Sequence, residues 1–217
     1  VRSDYSLKHM HRLIVTSATY QQSSQHRDEA AKMDAHNRYL WRMNPKRLDA
    51  EMIRDTMLAV ADTLVLELGG KGYSDVNSYF FKGTQFYDPI DPTGPQASRR
   101  TIYRAWARGG RNPWLDTFDC PDPSTTTPKR SQTTTPLQAL SLMNHAFVLR
   151  IADQFAQRLQ HDAKNDTPSA VRRAFALAYG RAPTTAEIDQ CTAFAQKHGW
   201  PSLCRGLLNS SEFLYVD

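Results

Sequence analysis

The chain has 217 residues, 40% of them hydrophobic, a net charge of +5 and a sequence pI near 9.2. That is enough for one large domain or two small ones with a sizeable core, and no apolar run reaches the roughly 20 residues of a membrane span. The basic residues are spread among acidic neighbours instead of gathered in a stripe, which argues against nucleic acid as a partner.

The chain opens on Val1 and enters an amphipathic segment within a few residues, so position 1 reads as the boundary of a fragment. Ser6–Ser17 reads as a helix with Leu7, Met10, Ile14 and Leu13 on one face. Gln21–Asn37 is polar and reads as an exposed connection. Asn44-Pro45 has the composition of a helix start, and Leu48, Met52, Ile53, Met57, Val60 and Leu64 follow at helical spacing towards a stop at Gly69-Gly70. Residues 71 to 98 mix glycines and prolines with Tyr73, Tyr79, Phe80, Phe81, Phe86 and Tyr87, and predict an irregular excursion with room for short strands.

Arg99–Arg108 lacks helix caps and is rich in Ile, Tyr and Trp, which predicts a strand. Asn112–Thr135 is rich in Pro and Thr and reads as an ordered loop or linker. Thr135-Pro136 then caps a long helix with the stripe Leu137, Leu140, Phe147, Val148, Ile151, Phe155 and Leu159. Thr167-Pro168 opens a second helix closed by Gly180, the capping box Thr184-x-x-Glu187 opens a third closed near Gly199, and a fourth runs from about Pro201 to Phe213. The fold class is therefore mainly α with a small β element. Residues 1–134 form an irregular core with long loops, and 135–217 a compact helical subdomain packed with it as one unit.

Two segments carry chemistry-bearing residues. In Arg47–Asp55, Arg47 and Glu51 are four apart and Glu51 and Arg54 three apart, so a helix brings them to one face. Glu51 and Asp55 there suit a cation or a shared proton, against the plainer reading of an ion-pair lattice. In Asp116–Ser124, followed by Lys129-Arg130, closely spaced aspartates on a proline-stiffened loop offer acceptors to a metal or to sugar hydroxyls, but the regular ligand spacing and the glycine of a calcium loop are missing. His9 and His11, two apart, cannot chelate one metal on a helix, and no metal site is expected. Cys120, Cys191 and Cys204 are odd in number and form no CxxC. Buried thiols and a Cys191–Cys204 bridge both remain open for the last two.

Several longer strings go beyond pattern. They are Ser6-Leu7-Lys8 with His11–Ser24, Arg47–Glu51 with Ile53–Asp55, and Arg99-Arg100 leading to Ile102-Tyr103. Further along come Phe118-Asp119-x-Pro121-Asp122, Thr133–Leu140 with Asn144, and Leu208–Phe213. Together they resemble, in order and along essentially the whole chain, the PSD-one domain of planctomycetes, a domain of unknown function. The resemblance implies a large secreted or periplasmic parent with a cytochrome-c-like domain upstream. Haem c would then sit in that upstream region and no cofactor in this fragment, and polysaccharide would be a partner by association only. It supplies no catalytic residues.

Three readings of function follow. One is an accessory domain handling polysaccharide. Another is an oxidoreductase or hydrolase whose site is shared with upstream residues, Asp119, Asp122 and Arg130 meeting Glu51, Arg54 and Asp55 in one cleft. The third is a structural or protein-interaction module.

Overall fold

The computed structural model describes residues 5–164 and 166–216, so the opening residues 1–4 lie outside the described residues. The fold is mainly α with a small β component, and it divides into two units, one running up to Arg47 and including the residues from Tyr215 on, the other Leu48–Leu214.

In the first unit α1 spans Leu7–Val15, its N-terminus capped by the Ser6 hydroxyl, and its Leu7, Met10, Leu13 and Ile14 are all exposed. The Gln21–Asn37 segment is not only a connection: it holds α2, Asp28–Met33, with Asp28 and Glu29 in the first turn and Lys32 in the last, charges that suit the helix dipole. Polar contacts organise the rest. The Asn37 amide donates to Arg42 O at 2.8 Å and Asn44 Oδ1 at 3.0 Å, and Trp41 Nε1 donates to Asp34 O at 2.8 Å. β1, Lys46–Arg47, pairs antiparallel with β4, Tyr215–Val216. That pairing corrects the expected helix start at Asn44-Pro45, because residues 46 and 47 are extended and committed to a ladder.

The second unit begins with α3, Ala50–Val60, with Asp49 as its N-cap residue and Ala50, Ile53, Met57, Leu58 and Val60 buried. It stops well before Gly69-Gly70. Asp62 takes a left-handed φ of 61°, and the Thr63 and Leu64 N–H groups turn back to Leu58 O at 2.9 and 3.2 Å. In the segment 71–98, β2 (Val76–Phe81) and β3 (Thr84–Pro89) form a hairpin turned by Lys82-Gly83, whose φ values of 47° and 82° match the right-handed twist of the flanking strands.

Arg99–Arg108 is not a strand. It holds a 3-10 turn, Thr101–Tyr103, flanked by single bridges Val65–Arg99 and Tyr73–Arg104. The cause is side-chain competition for backbone: the Asp55 carboxylate accepts the Thr101 N–H at 2.7 Å, while the buried Arg99 guanidinium donates to Lys71 O, Glu67 O and Gly69 O. The Asn112–Thr135 loop contains α4, Pro113–Thr117, started by the Asn112 side chain on Leu115 N and anchored by buried Trp114 and Leu115.

The expected long helix after Thr135 is two helices, α5 (Pro136–Asn144) and α6 (Ala146–Asp162), broken at His145, whose ψ of 134° is extended. α5 buries Gln138 and Leu142, leaving Leu137 and Leu140 exposed. α7 (Thr167–Tyr179) ends on left-handed Gly180, α8 (Thr185–His198) starts on the Thr184–Glu187 capping box, and α9 (Trp200–Leu208) and the short α10 (Ser211–Leu214) replace the single fourth helix. One core joins α3, α4 and α6 to α9, through Ile53, Met57, Phe118, Phe155, Leu159 and Leu208, so residues on both sides of position 134 share it. Cys120, Cys191 and Cys204 are free thiols.

Candidate functional site

The first two turns of α3 form one wall of a cleft of about 650 Å³. The helix periodicity places Glu51, Met52 and Asp55 on the cleft side, and the loop Cys120–Arg130 forms the facing wall. Arg130 crosses the gap. Its two terminal nitrogens donate to the two Glu51 oxygens at 2.7 and 2.8 Å, a parallel fork that fixes both side chains, with Asp49 a further 3.8 Å contact. Burial pushes the Glu51 carboxyl up, but the Arg130 guanidinium and its other hydrogen bonds outweigh that, and Glu51 is held below its ordinary value. Cys120 Sγ lies 3.9 Å from Glu51 Oε1, and burial, reinforced by that negative charge, pushes the thiol up to about 12.

Asp55 is organised from below. Thr101 N and Oγ1 both donate to its Oδ1 at 2.7 Å, and Arg100 Nε approaches Oδ2 at 3.5 Å. Asp122 accepts from Ser124 N at 2.8 Å, which holds its carboxyl low, and has Arg111 at 3.8 Å. The floor and rim are apolar: Met52, Ile102 and Trp106 line the cleft and are exposed. The Arg104 guanidinium packs 4.4 Å from the centre of the Trp106 ring and is itself locked by buried Asp75 at 2.7 Å, so the indole is backed by a fixed cation.

Of the six residues singled out in the sequence, Glu51, Asp55, Asp122 and Arg130 line this cleft, and Arg54 and Asp119 do not. Arg54 donates to Arg99 O at 3.0 Å, to Thr101 Oγ1 at 3.2 Å and to Ala97 O, and belongs to a separate cavity. Asp119, with a φ of 63°, accepts from Thr133 N and Oγ1 at 2.8 Å each and shapes the loop. Arg47 lies on β1, so it is not a helical neighbour of Glu51. Trp106 and Ile102 were missed, although their four-residue spacing was visible; the strand expectation gave no reason to connect them with Glu51. Among the aromatics of the excursion, Tyr73 is buried, whereas Tyr79, Phe80, Phe81 and Phe86 stay exposed on the hairpin, with Tyr79 stacked on Phe86 at 5.5 Å.

A mainly helical unit with a polar cleft carried by one helix and one loop defines a class of domain, not a reaction. The chain belongs to the PSD1 family, described as a protein of unknown function (DUF1553), whose model matches residues 1–195 and so spans the whole cleft. Comparisons with curated proteins and with solved structures gave no match. Among the described residues, no helix is long and apolar enough to cross a membrane.

Proposed function

We propose that this chain is a polysaccharide-binding accessory domain of a larger secreted, haem-c-linked bacterial protein, with the Glu51–Arg130 cleft as the sugar subsite. The observation that carries the reading is the pairing of fixed charge with an exposed indole: Glu51, Asp55, Asp122 and Arg130 around Trp106 and Ile102. A sugar ring offers hydroxyls on its edges and a C–H surface on its faces. The carboxylates accept from hydroxyls, the guanidinium donates to them, and the indole and Ile102 cover an apolar face. The cleft volume of about 650 Å³ falls within the range of small-molecule sites.

Binding is favoured over catalysis by the state of the ionisable groups. A general acid at neutral pH needs a raised carboxyl, and Arg130 holds Glu51 in its ionised form. The Cys120 thiol, pushed up to about 12, stays protonated and is a poor nucleophile. The secreted, haem-linked setting rests on the family resemblance alone.

The test is affinity electrophoresis of the native protein through gels cast with soluble polysaccharides, repeated with Trp106→Ala. At least one polysaccharide should retard the protein, and the variant should bind it about tenfold more weakly, a loss of one stacking platform, with its thermal midpoint unchanged. Absence of retardation by every polysaccharide, or equal retardation of the variant, sinks the reading. Release of reducing ends from a retarding polysaccharide would move the chain to the enzyme reading. The same native protein should show c-type haem absorption.

A further inference from the structure

A second cavity, of about 310 Å³, shares α3 with the cleft but none of its lining residues. Leu58, Ile90, Trp114, Phe147 and Ile151 give it apolar walls, all but Ile90 of them buried. Polar side chains share the lining, among them Arg54, Asp75, Asp91, Asn112, His145 and Arg150. Arg54, with 12% of its side chain exposed, sits between the Tyr73 and Phe147 rings, 5.1 and 5.7 Å from their centres. His145, the N-cap of α6, accepts the Phe147 N–H on Nδ1 at 3.3 Å. Burial lowers its pKa and so favours the uncharged ring, in which Nδ1 accepts and Nε2 carries the proton.

At the rim an ion pair forms a clasp. Arg150, on α6, donates through both terminal nitrogens to the two Asp91 oxygens, the Nη2 contact at 2.9 Å. Asp91 belongs to the loop that leaves β3 at Pro89 and runs to Gly94, and that loop lines the cavity. The Asp91 and Arg150 side chains are 34% and 30% exposed, so the pair lies at the rim while the apolar walls lie deeper. The other lining carboxylate, Asp75, is already satisfied: buried Arg104 donates to it at 2.7 Å and Asn112 Nδ2 at 2.6 Å. Arg54 is likewise engaged, by Arg99 O, Thr101 Oγ1, Ala97 O and the Asp55 carboxylate at 3.7 Å, so displacing Asp91 would leave Arg150 as the lining cation in want of a carboxylate.

We propose that this cavity binds a small organic carboxylate with an apolar body, the ligand's carboxylate taking the place of Asp91 on Arg150 and its body lying against Phe147, Trp114 and Ile151. The Arg150 fork accepts any carboxylate in the same two-bond geometry, so the exchange costs no hydrogen bond. Burial of the body against the apolar walls supplies the net gain, since Asp91 regains water when it leaves. The volume suits one ring with a short side group, at the small end of ligand sites. With Nδ1 accepting from Phe147 N, the neutral His145 ring has Nε2 as its donor within the same lining, which favours an acceptor-bearing group over an amine. This inference concerns residues outside the cleft and stands whether or not the cleft binds sugar.

The probe is benzoate, with benzyl alcohol as the uncharged ligand of the same shape, titrated calorimetrically into the native protein up to about 10 mM. Benzoate should bind and benzyl alcohol should bind at least about tenfold more weakly. Asp91→Asn removes the competing charge and should tighten benzoate about fivefold, while Arg150→Gln should weaken it about tenfold in either background. Both positions are partly exposed, so both variants are expected to fold, and their thermal midpoints check it. Equal binding of benzoate and benzyl alcohol overturns the proposal. So does benzoate binding that ignores Arg150→Gln, or its absence from both the wild type and Asp91→Asn.

Discussion

Asp119 shows how a single residue changes meaning once its surroundings are known. Its left-handed φ of 63° is a conformation that Asp and Asn tolerate and most side chains resist, and its two oxygens accept from Thr133 N and Oγ1 across the loop. Replacing it with Ala removes both acceptors and leaves an unfavourable backbone, so Asp119→Ala should lower unfolding stability by about 1–3 kcal/mol in urea denaturation. Asp119→Asn keeps the backbone preference and one acceptor and should lose clearly less. Equal loss by both variants, or none by Ala, would refute this loop-shaping role. The residue types around the cleft were legible in the sequence: acids and arginines clustered in Arg47–Asp55 and Asp116–Arg130. Their pairing was not. Glu51 meets Arg130 across 79 positions, through a loop with no periodicity from which a register could be read. Arg47, the neighbour that helical spacing suggests, is drawn into β1 by a strand at the other end of the sequence.

At the scale of elements, the helices that could be placed are those whose ends are decided locally. Thr135 caps α5 and the Thr184–Glu187 capping box forms as the sequence suggests, Gln138 adding a reciprocal bond at the first, and Gly180 closes α7 in the left-handed conformation. Failures occur where a distant group decides: Asp55 takes the Thr101 N–H and turns the expected strand into a 3-10 turn. The break at His145 is the instructive case, because the apolar stripe runs through it while the extended His145 backbone ends α5 and its imidazole caps the start of α6. That cap is pH-sensitive. Burial lowers the His145 pKa, with Asp91 opposing and Arg150 assisting, so the unfolded chain takes up this proton more readily than the folded one. The stability it contributes is present above the ordinary imidazole value of 6.5 and is lost as pH falls below it towards the folded value. Protonated Nδ1 can no longer accept the Phe147 N–H, and the charge faces the positive end of α6. Glu51 and Asp162 are also held low, but their ordinary values of 4.5 and 3.8 put their losses in a more acidic window. Thermal midpoints of the wild type should therefore fall between about pH 7 and pH 5.5, and those of His145→Asn, which keeps a capping side chain without the titration, should fall less. Parallel curves for the two proteins would remove His145 as the cause.

For the whole molecule, the distribution of buried apolar surface decides what can fold alone. Among the described residues every buried hydrophobic side chain belongs to Leu48–Leu214, where Ile53 and Met57 of α3 join Phe155 and Leu159 of α6 and Leu208 of α9 in one core. The described residues up to Arg47 bury Asn37 and Arg47 but no apolar side chain, and the apolar residues of α1 are exposed. Ordering a chain costs about 1–2 kcal/mol per residue in backbone entropy, and hydrophobic burial is the main force that offsets it. A polypeptide limited to residues 48–214 should therefore keep a single cooperative thermal transition with a midpoint within about 5 °C of the whole chain, whereas residues 1–47 alone should show none. Circular dichroism melts of the two pieces test this directly. Among the described residues, those lining the Glu51–Arg130 cleft and the Arg150–Asp91 cavity fall within 49–154, so the larger piece should also retain benzoate binding. A broad, non-cooperative melt of residues 48–214 would mean that this core depends on the N-terminal segment after all, and the two cavities would then have to be studied only in the longer chain.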